Sequence, residues 1–300
     1  MENTFIRNSG SQIRSLSTCT ASTQGYGTKN PRVYRPSVPS DATDGREPPE
    51  PKTLWQHAGV MKKLQAKRDI HGVLQCMSDI KRDGLVPDAY CYNIVINLHG
   101  KLNQLEEAER WFDQMTSDGI AADANTFAAL MDAYGIADNL EKAEWCLAEM
   151  DRRDLSPQIS HYTILISAYA RKEISKHKDA EEAEVKFHLK ENTEHTEQAE
   201  VKFEELIMRG LSPTVHTFGA MIDMYAQLAE PEKAKNKLHE KLKVFGLPLD
   251  KQDCCMMVNA YANARLLDEA LSWHERIKDE FGHHSIEAGV PRYLHNVRGP

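Results

Sequence analysis

The chain has 300 residues, 41% of them apolar, and a formal net charge of −8. That length holds about two ordinary domains or one long array, and its longest apolar runs are far too short to span a membrane. An acidic chain binds a polyanion only where its basic residues are segregated onto one face, which counts against sequence-blind polyanion binding.

Residues 1–52 differ from the rest. Their first forty residues carry Arg7, Arg14, Lys29, Arg32 and Arg35 against one acid, Glu2, with the run "SLSTCTAST". An Arg- and Ser-rich, acid-poor start has the composition of an organelle transit peptide, and an ordinary unstructured tail is the competing reading. It has no apolar core of the kind that directs secretion. "RPSVPSDATDGREPPEPK" follows as a Pro-rich linker that should not pack. Folded structure is expected from Thr53.

From there a joint recurs. "DGLVPDAYCYNIVI" at Asp83 returns as "DGIAADANTFAAL", "RDLSPQISHYTIL", "RGLSPTVHTFGAM" and "FGLPLDKQDCCMM". Gly84, Gly119 and Asp154 are 35 residues apart; Gly210 follows after 56, and Gly246 and Gly282 after 36 each. A fixed period of this size signals a repeat array. Between joints, apolar residues fall at i, i+3, i+4 and i+7. First-helix sets are Tyr92, Val95, Ile96, His99; Phe127, Leu130, Met131, Tyr134; Tyr162, Leu165, Ile166, Tyr169; Phe218, Met221, Ile222, Tyr225; and Cys254, Met257, Val258, Tyr261. Ala108, Trp111, Phe112, Met115 and Ala143, Cys146, Leu147, Met150 mark second helices. This spacing places four side chains on one helix face. Glycine past the second helix permits a left-handed cap, and Pro87, Pro157 and Pro213 prevent continuation. One such hairpin cannot bury its apolar face alone, but stacked hairpins can. The expected fold is all-α, a right-handed α-solenoid of about six helix-turn-helix repeats.

The 35-residue unit, with "Y-N-x-x-I" in its first helix, "E-E-A-E-x-x-F-x-x-M" in its second and a "G-[IL]-x-P-D" joint, resembles the pentatricopeptide repeat (PPR) family. Ala89–Asp123 matches over the whole unit, and Ala124–Gln158 matches too. The tetratricopeptide repeat is the nearest rival, with a period of 34 and no Pro-Asp joint. The units run Leu54–Asp88, Ala89–Asp123, Ala124–Gln158, Ile159–Thr214, Val215–Asp250 and Lys251 to about Ser285, so the array is expected over 53–285, with 286–300 as a tail. The fourth unit carries an insertion at about 174–196, in which "AEVKF" at 183–187 anticipates "AEVKF" at 199–203. The second copy reads as the native helix and the first as an extra charged helical excursion. His177, His188 and His195 lie there among acids and read as a solvated segment rather than a metal site.

The resemblance implies single-stranded RNA binding in a mitochondrion or chloroplast, one base per repeat. It implies that the base meets the fifth residue of the first helix and the last residue of the repeat. Asn93 with Asp123 is the pair that favours uracil in the family. Thr163 with Thr214 keeps a polar fifth residue. Asp88 and Asp250 stand opposite Ala58 and Gly219, and Gln158 opposite Ala128, so these units lack it; Cys255 is atypical. Tyr90 and Trp55 could stack on bases at the second position, where Asn125, Ser160, His216 and Gln252 are poor platforms. Lys101 and Arg171 hold the basic place between helices, facing phosphate.

The six cysteines, Cys19, Cys76, Cys91, Cys146, Cys254 and Cys255, form no CxxC and no zinc spacing, and most read as buried thiols suited to a reducing compartment. No catalytic constellation, metal site or cofactor loop is legible, and the tail does not resemble an editing deaminase. The leading expectation is therefore a non-enzymatic organellar RNA-binding adaptor acting in transcript processing, stability or translation. The alternative is a structural component of an organellar ribosome or other assembly, holding proteins and rRNA.

Overall fold

The computed structural model describes residues 53–182 and 194–282. Twelve α-helices lie there: α1 Leu54–Ala66, α2 Ile70–Arg82, α3 Ala89–Lys101, α4 Leu105–Ser117, α5 Ala124–Ile136, α6 Leu140–Arg152, α7 Ile159–Glu182, α8 Glu194–Met208, α9 Val215–Gln227, α10 Pro231–His239, α11 Lys251–Asn263 and α12 Leu267–Phe281. No strand occurs among the described residues. The expectations for residues 1–52, the first "AEVKF" copy with His188, Cys19 and the tail 286–300 lie outside them. None of the described helices is long and apolar enough to cross a membrane.

The odd-numbered helices form one layer, each touching the next, and each even-numbered helix backs its own partner. This is the expected solenoid. The first-helix sets meet at its centre: Tyr92, Phe127, Tyr162, Phe218 and Cys254, the fourth residue of successive first helices, are all fully buried. Phe218 packs edge-on against Phe203 and Phe245, with ring centroids 5.2 and 5.4 Å away. Tyr162 donates to Glu205 Oε1 of α8 at 3.0 Å, Tyr92 donates to Asp118 at the end of α4, and Tyr225 donates to Glu200 of α8, the second helix of the preceding unit, so each of these polar tips is satisfied. Burial pushes the Cys91 and Cys146 thiols up to about 12 and Cys254 to about 11, which leaves them unreactive thiols at neutral pH.

Each joint is made by two local devices. Past the second helix, Gly84 takes φ 73°, with Leu85 N–H bonded to Ile80 O and Gly84 N–H to Lys81 O, which closes the helix end. Asp154 does the same at φ 55° without being glycine; a short polar side chain tolerates that region. The next helix then opens on a capping side chain: Asp88, Asp123, Thr214 and Asp250 each accept the N–H three residues on. Gln158 has no such role, and there Gln158 N–H donates to His161 Nδ1.

The turns inside the hairpins also use left-handed residues, at Arg68, Asn103, Asp138, Ala229 and Arg265. Ala229, at φ 56°, gains nothing from its Cβ there. A left-handed L-residue costs about 1–2 kcal/mol, and the extra freedom of glycine in the unfolded chain returns about 0.4–1 kcal/mol of that. Ala229→Gly is therefore expected to raise stability by about 0.5–1 kcal/mol, read as a higher urea midpoint at unchanged slope. A lower midpoint would contradict this account of the turn.

Two irregularities follow from unit length. The fifth unit has 36 residues from joint to joint, and its second helix ends in a π-turn, Glu240–Val244, which absorbs one extra residue. That turn places Lys241 in the interior, fully buried, with Nζ 3.2 Å from Asp250 Oδ2 and also donating to Asp253. In the fourth unit the insertion is partly helix: α7 has 24 residues where the other first helices have 13. Glu173 is fully buried at the start of this prolongation, and His177 Nε2 at 3.5 Å and His195 Nδ1 of α8 at 3.7 Å approach its carboxyl without a hydrogen bond. His177 and His195 are thus packed against the array rather than freely solvated. Ala199 and Phe203 of the second "AEVKF" copy are buried, as native-helix residues should be.

Candidate nucleic-acid interface

The first-helix layer presents residues two, five and nine of each unit on one surface. Gln65, Tyr90, Asn93, Asn97, Asn125 and Asp132 line a groove of about 540 Å³ there. Tyr90, 46% exposed, and Asn125 line this groove together with Asn93.

Asn93 is half-buried. Its Nδ2 donates to Asp123 Oδ1 at 3.1 Å. A carboxylate only accepts, so this bond fixes which way the amide points. Asn93 Oδ1 is left buried without a partner. Asp123 Oδ1 also accepts from Thr126 N–H at 2.8 Å and Thr126 Oγ1 at 2.9 Å. Burial raises the Asp123 carboxyl, but these bonds outweigh it and hold the group below the usual carboxylate range. An ionised anchor thus orients an amide whose carbonyl is buried and unpaired, on a residue that lines the groove.

The second expected pair is arranged differently. Thr163 Oγ1 donates to Ile159 O at 2.9 Å and lies 2.8 Å from Thr217 Oγ1, which is 3.1 Å from Thr214 Oγ1. Thr163 and Thr214 meet through Thr217, within the protein. Asp88 caps α3 through Cys91 N–H at 3.0 Å. Asp250 spends both oxygens, one on Asp253 N–H and one on Lys241. Trp55 is 83% exposed on α1. Lys101 and Arg171 are exposed and occupy the same register, at the thirteenth residue of α3 and α7.

Sequence reasoning missed three contributors. The last residue of a repeat is also the cap of the next helix, which the Pro-Asp spelling of the joint could have signalled. The ninth residue brings Asp132 and Asp223 to the same surface, legible by counting register. The spacing of neighbouring first helices depends on close approach: a Cβ at Gly100 would stand 2.6 Å from Ala133 Cβ, and one at Gly135 would stand 3.0 Å from Ala168 Cβ.

A family model described as a PPR repeat family matches residues 87–136, and one described as a PPR repeat matches residues 126–155 and 254–280. The chain carries pentatricopeptide repeats. No curated protein matches it in sequence. Among solved structures, this PPR array is similar to the PPR protein PPR10 in complex with an 18-nucleotide psaJ RNA element, with a TM-score of 0.64 and 17% identity over 82% of this chain and 31% of that one. PPR10 from maize matches with a TM-score of 0.56 at 17% identity, over 83% and 31%. The PPR domain of Arabidopsis thaliana protein-only RNase P 1 in complex with tRNA matches with a TM-score of 0.50 at 15% identity, over 71% and 100%. This PPR chain spans about a third of the length of PPR10. At these identities the likeness is one of fold.

Proposed function

We propose that this PPR protein is an organellar RNA-binding adaptor that holds single-stranded RNA along its first-helix layer, in transcript processing, stability or translation. The observation that carries this is the unpaired Asn93 Oδ1, oriented by Asp123 beside Tyr90. A buried acceptor without a partner is costly, and the N3–H of uracil supplies the missing donor. Tyr90 offers the base a stacking face. The RNA-bound PPR proteins of the same fold support the substrate class, and the basic, acid-poor composition of residues 1–40 supports the organelle.

A second reading is favoured by one observation. Asp132 and Asp223 put carboxylates on the surface that would meet phosphate. That suits a component of an organellar ribosome or other assembly, holding protein and rRNA, more than a free transcript binder.

The first test is in-cell crosslinking with sequencing of the bound RNA. A short footprint in an organellar transcript supports the adaptor. Reads confined to rRNA, with the protein sedimenting with ribosomes, replace it with the assembly reading. In vitro, Asn93→Ala is expected to weaken binding to a U-containing oligonucleotide by several-fold to tenfold, on the order of one hydrogen bond at about 0.5–1.5 kcal/mol. Ala128→Ser should change it much less. Equal effects would remove Asn93 as the reading residue.

A further inference from the structure

The prolongation of α7 extends the same surface. Its first thirteen residues, 159–171, occupy the ordinary first-helix place, and the helix continues through Glu182. Counting from Ser167, the residues four, eight and eleven positions on are Arg171, Ser175 and Lys178, and this spacing keeps them on one helix face. They line a single groove of about 400 Å³ with Asp223 and Gln227 of α9. Arg171 reaches back across the neighbouring unit: a Cβ on Gly135 would lie 3.1 Å from its Nη2.

The charge on this edge is available. Nearby cations are committed elsewhere, Lys172 to Asp138, Lys202 to Glu144, Arg209 to Asp151 and Lys237 to Glu200. Arg171 and Lys178 are exposed and pair with no carboxylate among the described residues. Asp223 on the facing helix accepts from Gln227 Nε2 at 2.8 Å and keeps its charge, and against that one carboxylate the groove lining sets two cations, Arg171 and Lys178. The helix that carries these residues packs against α8 and α9.

We propose that the prolonged α7 is a phosphate-binding edge for the RNA strand, with Arg171 and Lys178 neutralising backbone phosphates and Ser175 donating to a phosphate oxygen. This rests on the RNA-binding reading and adds to it a site made by the insertion. Such contacts position a strand without reading its sequence. In an array with few free basic residues on this surface, they supply the electrostatic part of binding.

The test is fluorescence-anisotropy titration of the full chain with labelled single-stranded U-containing and U-free oligonucleotides, across a salt series. Lys178→Ala is expected to weaken both by the same factor and to reduce the slope of log affinity against log salt by about 0.7. Lys178→Arg should restore both, whereas Asn93→Ala should abolish the uracil preference and leave the slope unchanged. If the wild-type chain binds but Lys178→Ala and Lys178→Glu bind with unaltered affinity and slope, the phosphate edge is overturned and the RNA reading stands. Weakening confined to one oligonucleotide would also overturn it, because the residue would then be reading bases. If the wild-type chain binds neither oligonucleotide, both readings fall.

Discussion

Lys241→Met is expected to destabilise the last two units by about 3–5 kcal/mol, the range for breaking a buried ion pair from one side. Lys241 is fully buried in the π-turn, and its partner Asp253 is 1% exposed. Replacing the ammonium by a thioether of similar length leaves packing nearly intact and strands the Asp253 carboxylate in the interior. Asp253 also accepts Asp250 N–H at 2.9 Å, so it is held in place when its counter-ion is gone. Urea titration reads the loss, and hydrogen exchange should place it at α10–α11. The double variant Lys241→Met, Asp253→Asn should recover most of the stability, because the amide keeps an acceptor for Asp250 N–H without a charge. A double variant as unstable as the single one would show that the lost interaction is not this pair.

Gly100→Leu is expected to be destabilising by about 1–3 kcal/mol or more, the range for overpacking, although it improves helix propensity by nearly 1 kcal/mol. Steric contact decides the sign. A Cβ at Gly100 would meet Ala133 Cβ at 2.6 Å and Ala133 Cα at 3.0 Å. The second of these is backbone, which cannot swing away, so α3 and α5 must part. The consequence reaches the interface, since Asn93 is on α3 and its anchor Asp123 begins α5. Gly100→Leu should therefore lose uracil preference as well as urea resistance, whereas Gly59→Leu, where an added Cβ meets nothing within 4 Å, should lose neither. Equal behaviour of the two variants would show that close helix approach does not set the reading geometry.

The repeat was legible because its most regular features are spelled by distinctive residues. The first-helix i, i+3, i+4, i+7 sets from Tyr92 to Tyr261 are all buried, while Trp111 and Phe112 of a second-helix set are partly so, and Gly84, Gly119 and Gly210 sit where the chain turns left-handed. The duplication in the insertion pointed to the native second helix, and Phe203 packs there. What stayed hidden were features that no residue type announces. Arg68, Ala229 and Arg265 adopt the same backbone as glycine because the packed hairpin imposes it. The π-turn follows from a unit one residue longer than the 35-residue period, and periodicity ends too early to show that α7 continues to Glu182. At the interface, the residues could be named from register, but not the bonds between them. Thr163 and Asp123 are both polar and in place, yet one is consumed internally and the other orients a neighbour. That difference depends on Thr217, which stands at the third position of α9.

The placement of Asp88, Asp123, Thr214 and Asp250 as helix starters limits the alphabet available to such an array. At these four joints, unlike at Gln158, the side chain begins the following helix, and Asp, Asn, Ser and Thr do this best. On the proposed RNA reading, a change of preferred base is therefore drawn from a short list, and each choice alters the stability of the next unit downstream. It also changes how an aspartate there should be interpreted. Asp88 and Asp250 face Ala58 and Gly219, which have no polar group to share with a base, and the start of α3 and α11 accounts for them fully. On the proposed RNA reading, counting aspartates at the joints would overstate the number of bases recognised, because the fifth residues limit it.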